Sequence, residues 1–114
     1  SARLLSRARL RSPRDFETVL EKGTRIHETL FTAAVIANQR QHPCLGLAIS
    51  KKAAPLAVTR NAIKRQVRES FRTGALPAVD VVIFARGGCG KAANAARRAS
   101  LDKLWTRIQQ RWTS

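Results

Sequence analysis

Apolar positions in this chain recur at helical spacing, then at strand spacing, then at helical spacing again. Phe16, Val19 and Leu20 share one helical face. Ahead of them, Ser12, Pro13 and Asp15 have the chemistry of an N-cap, a first-turn proline and the acidic partner of a capping box. Gly23 is placed to end this helix near Lys22. Two strand-like runs follow. Residues 30–36 are dense in apolar and β-branched side chains, and residues 45–50 alternate through Leu45, Leu47 and Ile49. Between them, residues 38–43 form a polar connection of hairpin-like length. A helical stretch is predicted from about Val58 to Arg72, closed by Gly74 and Pro77, and a buried strand from Val79 to Ala85. From about Lys91 the pattern is helical, with Leu101, Leu104, Trp105, Ile108 and Trp112 on one face as core. The predicted order is α-β-β-β-α-β-α, or the same with one strand fewer. That is an α+β fold, with helices packed on one sheet.

Composition narrows the partner. The 114 residues are 44% hydrophobic, enough for one compact domain with its own core, yet 22 Lys and Arg face only 7 Asp and Glu for a net charge of +15. Such an excess repels itself unless a polyanion neutralises it, which points to nucleic acid. Arg supplies 16 of the 22 cations, and its planar fork suits phosphate contacts better than an ammonium does. Four of them, Arg3, Arg7, Arg9 and Arg11, make an Arg-rich arm of about residues 1–11. No apolar run approaches transmembrane length and no signal peptide is expected. Cys44 and Cys89 form no metal-binding pair with each other or with His27 or His42, and two reduced thiols fit a cytoplasmic protein.

The charge is concentrated in residues 59–72. On a helix turning about 100° per residue, Arg60, Lys64, Arg68, Asn61, Arg72 and Arg65 fall within an arc of about 140°. Ile63, Val67 and Phe71 take a neighbouring arc that can anchor the helix to a sheet. An ordinary solvated face mixes signs, whereas this one is nearly all positive, with Glu69 beside it. Five cations on one face are spaced to meet successive phosphates, and Asn61 can add a hydrogen bond to a base or sugar.

Two enzyme readings weaken on inspection. Residues 85–92 have the length and the Gly-Lys of a phosphate-binding loop between a strand and a helix. Ala85 replaces its first glycine, however, and Ala92 lacks the hydroxyl that would hold Mg²⁺. A loop touching RNA through Arg86 and Lys91 is the better expectation. A self-sufficient metal-dependent nuclease needs clustered carboxylates, and Asp15, Glu17, Glu21, Glu28, Glu69, Asp80 and Asp102 are scattered over several predicted elements.

The run Arg60-Asn61-x-x-Lys64-Arg65-x-x-Arg68-Glu69 resembles the RNR signature of the bacterial ribonuclease P protein family. The resemblance spans nearly the whole chain. Arg9-Leu10, Asp15-Phe16, Val19, Gly23 and Arg25 resemble the family's first helix and following turn. Leu45-Gly46-Leu47, Ile49 and Ser50-Lys51-Lys52 resemble its strand and basic turn. Residues 80–86 resemble the strand after the signature helix, and Leu101, Leu104 and Trp105 its last helix.

The resemblance implies a fold like the second domain of ribosomal protein S5, a central mixed sheet with a left-handed βαβ crossover around the signature helix. It also implies a protein subunit of a tRNA 5′-end-processing endoribonuclease, monomeric in a one-protein-one-RNA complex. Arg60, Asn61, Lys64, Arg65, Arg68 and Arg72 would face the catalytic RNA. A cleft between the first helix and the sheet would hold the leader of precursor tRNA, with Phe16 and Phe31 stacking bases and Lys51 and Lys52 holding phosphates. Leu20 stands where some relatives carry a second aromatic, which would either weaken leader stacking or shift leader binding toward charge. The protein would contribute no catalytic residue, and Mg²⁺ would be bound mainly by the RNA. The competing expectation is a non-catalytic ribosomal-RNA-binding or assembly protein, sharing the basic helix and lacking the cleft.

Overall fold

A computed structural model describes residues 9, 10 and 12–113, so most of the Arg-rich arm lies outside the described residues. The elements follow the order α1 (Pro13–Lys22), β1 (Thr24–His27), β2 (Phe31–Ala37), β3 (Cys44–Ala48), α2 (Ala57–Thr73), β4 (Val79–Ala85) and α3 (Asn94–Trp112). The four strands form one mixed sheet in the order β1-β2-β4-β3. β1 and β2 are antiparallel, as are β2 and β4, while β3 runs parallel to β4 in the register Gly46 to Val82 and Ala48 to Phe84.

This order corrects the reading of residues 38–43. Their length suits a hairpin, but β2 and β3 do not pair; β4 lies between them. The connection crosses the start of β4 and is fixed to it by Asp80, whose carboxylate accepts from Asn38 Nδ2 at 2.8 Å and from Arg40 Nη1 at 2.9 and 3.1 Å. Arg40 Nη2 reaches on to Asp15 Oδ2 at 2.8 Å, tying α1 to the same point. Asp15 therefore serves as an ion-pair partner. The expected reciprocal capping box is reduced to Ser12 Oγ accepting from the Arg14 amide.

The sheet is covered on both faces, which explains why β2 and β4 read as near-continuous apolar runs. On one face, α2 and α3 bury Ile63, Val67, Phe71, Leu101, Leu104, Trp105 and Ile108 against Phe31, Ala33, Val35, Val81 and Ile83. Phe71 and Trp105 meet edge to face with ring centroids 5.9 Å apart, and the Trp105 indole N–H is satisfied by Ser70 Oγ. Trp112, expected in this stripe, is only half-buried. On the other face, α1 lays Val19 over Ala34 and Val82. The last helix begins three residues later than its pattern suggests, because residues 89–91 form a short 3₁₀ turn. Arg97 holds that turn by donating to the Cys89 and Ala92 carbonyls and to Gln66 Oε1.

Candidate nucleic-acid interface

The amphipathic pattern of α2 seats Ile63, Val67 and Phe71 in the core and leaves the cationic arc outside. Asn61, Arg65 and Arg72 are exposed, whereas Arg60, Lys64 and Arg68 are half-exposed. Arg60 has a structural duty as well: its Nη1 donates to the Ala54 and Pro55 carbonyls, at 3.0 and 2.8 Å, and braces the entry to the helix. Arg72 departs from the group. It lines a groove of about 420 Å³ between α2 and α3 together with Glu69, Arg98 and Asp102, where carboxylates partly offset its charge. The continuous cationic surface therefore runs from Arg60 to Arg68. At its start, Leu56 and Val58 stand 69% and 81% exposed, an apolar tip beside the charges.

Arg68 also reaches a second feature. With Arg9, Leu10, Phe16 and the Leu45–Leu47 segment of β3, it lines a groove of about 210 Å³ at the β3 edge. The chain before α1 is anchored here, with Leu10 N donating to Leu45 O at 3.0 Å and Arg9 forming a parallel bridge to Leu45. Phe16 lies half-exposed over Gly46, where the missing side chain makes room for its ring. The basic helix and the aromatic of α1 thus meet at one sheet edge.

On the α1 face the cover is uneven. Ala34 and Val82, beneath Val19, are fully buried, but Phe84, one step further along β4, and its β3 neighbour Ala48 stay half-exposed. Arg25 of β1 holds its guanidinium 5.2 Å from the Phe84 ring centroid and donates to the Leu20 carbonyl at 3.1 Å. Beyond the same end of β3, Lys51 and Lys52 are exposed on a turn closed by Ala54 N donating to Ser50 O. An open trough results, with Phe84 and Ala48 as floor, Phe16 and Leu20 as one wall, and cations at both ends.

Phe31 has no place in that trough. Its ring is 0% exposed and lies on the opposite face of the sheet, among the α2 and α3 core residues. Strand parity decides this: Phe31, Ala33 and Val35 point one way, Thr32 and Ala34 the other. Phe84, which sequence reasoning assigned only to a buried strand, is the aromatic that the trough presents. It pairs with Thr32 of β2 and Ala48 of β3, which puts it on the face of Ala34.

Three carboxylates are committed to the fold: Asp15 and Asp80 to Arg40, and Glu28 to Arg107 Nη1 at 2.8 Å. Arg40 has its pKa raised chiefly by the hydrogen bond to Asp15, with Asp80 adding to the effect. Burial pushes both thiols, Cys44 and Cys89, above their ordinary range, and neither is in a disulfide. In residues 85–92, Arg86 Nη1 is engaged by the Glu28 carbonyl at 2.7 Å. Among the described residues, no helix is long and apolar enough to cross a membrane.

The family model described as Ribonuclease P matches residues 4–109. The chain is 40% identical over 109 residues to the ribonuclease P protein component of Idiomarina loihiensis, covering 90% of this chain and 85% of that one. It is 44% identical over 101 residues to the same component of Haemophilus influenzae, covering 87% and 85%. Among solved structures it resembles the ribonuclease P protein of Staphylococcus aureus, with a TM-score of 0.81 at 27% identity over 90% of this chain and 97% of that one. The Thermotoga maritima ribonuclease P protein gives a TM-score of 0.77 at 30% identity, covering 88% and 96%.

Proposed function

The chain belongs to the bacterial ribonuclease P protein family, and from that premise we propose that it binds the catalytic RNA through α2 and the 5′ leader of precursor tRNA through the α1 trough. The observation that carries this reading is the shared groove at the β3 edge, where Arg68 of α2 and Phe16 of α1 line the same recess. A protein that joins a catalytic RNA to the leader it removes needs both surfaces adjacent.

On the α2 side, Asn61, Lys64, Arg65 and Arg68 meet the phosphates and sugars of the catalytic RNA. Arg60 contributes through the guanidinium nitrogens not used on the Ala54 and Pro55 carbonyls, and Arg72 makes a weaker, peripheral contact. On the α1 side, Phe16 and Phe84 offer ring faces to unpaired bases, while Lys51, Lys52 and Arg25 hold the backbone. Stacking tolerates any base, which suits an enzyme that meets many leader sequences. Leu20 gives an apolar wall in place of a further ring.

Bond cleavage belongs to the RNA. Mg²⁺, when bound there, supplies charge stabilisation and an activated water. What supports assigning it to the RNA is that Asp15, Asp80 and Glu28 are already paired with arginines, and no three of the described His, Cys, Asp and Glu side chains gather to hold an ion. The protein raises substrate affinity and screens repulsion between two polyanions in a one-protein-one-RNA complex in the cytoplasm. Binding of ribonuclease P RNA and of precursor tRNA by variants on each surface tests the division. Arg65→Ala should weaken the first, and Phe84→Ala the second only when a leader is present; a reversed pattern would refute the assignment.

A further inference from the structure

The far edge of the sheet carries two cations, Arg107 and Arg111, that neither surface above uses. Thr24, Arg25 and Ile26 of β1 and Arg107, Gln110 and Arg111 of α3 line a recess of about 280 Å³. None of these lining residues is a carboxylate. Arg107 is fixed in place, its Nη1 donating to the His27 carbonyl at 2.7 Å and to Glu28 Oε2 at 2.8 Å. That contact also blunts the strand edge, since a cation covers a carbonyl that an added strand would need. Arg111 is exposed, and its guanidinium lies 5.4 Å from the Trp112 ring centroid. The recess thus combines the Arg107 and Arg111 guanidinium groups with a hydroxyl and an amide, donors that can hold phosphate and ribose oxygens.

Its position relative to the trough selects the occupant. Arg25 marks where the two adjoin: it is among the residues lining the recess at the β1 edge, while its guanidinium lies on the α1 face over Phe84. A single strand that crosses the α1 face and leaves the trough over Arg25 reaches Arg107 and Arg111 by turning round the β1 edge. The opposite edge, β3, is the one next to α2, about 14 Å away at three interstrand spacings. With the catalytic RNA on α2, a scissile bond on the β3 side would make the strand emerging at β1 the 5′-distal leader. We infer that the recess formed by Arg107 and Arg111 is a sequence-independent phosphate-binding site for leader nucleotides beyond those held in the trough. This rests on the leader-binding reading above and extends it to substrates with long leaders.

The test uses the holoenzyme and precursor tRNAs that share one body and differ only in leader length, with mature tRNA as the limit. Arg111→Gln is the primary variant, because the side chain is exposed and has no hydrogen bond to lose; Arg107→Gln is the second. For long leaders, each should weaken binding about two- to fivefold, the range of a single exposed ionic contact. The salt slope should flatten by about one ion. Short leaders and mature tRNA should bind both variants as they bind the unsubstituted protein. If the unsubstituted holoenzyme gains affinity with leader length and the variants gain equally, the recess is not a leader site while the trough reading stands. An equal loss at every length, mature tRNA included, would also overturn the inference, placing the arginines against the catalytic RNA or the tRNA body. If leader length has no effect even without substitution, the leader reading and this extension fail together.

Discussion

The Phe16 ring lies against the backbone of Gly46, so closely that a Cβ there would stand 2.9 Å from its Cε2 and 3.1 Å from its Cδ2. Leu10 crowds the same space at 3.2 Å. The glycine is thus what allows an aromatic of α1 to lie across β3 and line the groove that Arg68 enters. Gly46→Ala should push the ring outward at modest cost to stability, about 1–3 kcal/mol for an overpacked site. Affinity for precursor tRNA should fall while affinity for mature tRNA is kept. Urea unfolding and paired binding measurements check both halves; unchanged leader-dependent binding would mean that the seating of Phe16 is irrelevant to substrate.

Phe31 and Phe84 should part company on substitution. Phe31→Ala opens a cavity under α2 and α3 and should cost about 3–5 kcal/mol of folding stability. Phe84→Ala removes a half-exposed ring, so its larger effect should be on leader-dependent affinity. Thermal unfolding of the two variants beside binding of leader-bearing and leaderless tRNA separates them. Equal destabilisation with equal binding loss would contradict the division of the two faces.

Ser12, Pro13 and Gly23 marked the ends of α1 because capping chemistry is local, and the strand at residues 79–85 was bounded correctly by its own apolar run. The cationic arc of α2 was legible because helical spacing alone determines it. The placement of Phe31 was not, since a strand covered on both faces has no polar side to reveal which residues point where. Nor was the insertion of β4 between β2 and β3, because a six-residue connection fits a hairpin as well as a crossing. The Asp80 carboxylate, 40 residues from Arg40, decides that case through a contact no local pattern contains.

Arg65 is exposed on α2 and free of the structural duty that Arg60 has. Arg65→Ala should therefore weaken binding of the catalytic RNA without lowering stability. The dependence of log affinity on log salt should flatten by about one ion. Titrations at several salt concentrations measure it, and an unaltered slope would remove Arg65 from the contact set.

Cys44 and Cys89 are buried thiols with raised pKa values. Both should resist iodoacetamide in the folded protein and react on unfolding. A thiol whose folded pKa is raised stabilises the fold fully below its unfolded pKa and loses that contribution as pH rises through the folded one. Stability to urea should accordingly decline above the ordinary thiol pKa of about 8.5. Rapid native labelling at neutral pH would contradict the buried placement.

Reconstitution tests the central claim most directly: the purified protein is added to bacterial ribonuclease P RNA at low Mg²⁺ and precursor-tRNA cleavage is followed. The account predicts cleavage at the mature 5′ end only when both components are present, with the protein alone inert. A protein that binds the RNA yet never rescues cleavage, even with RNA from its own source, or that cleaves without RNA, would contradict it.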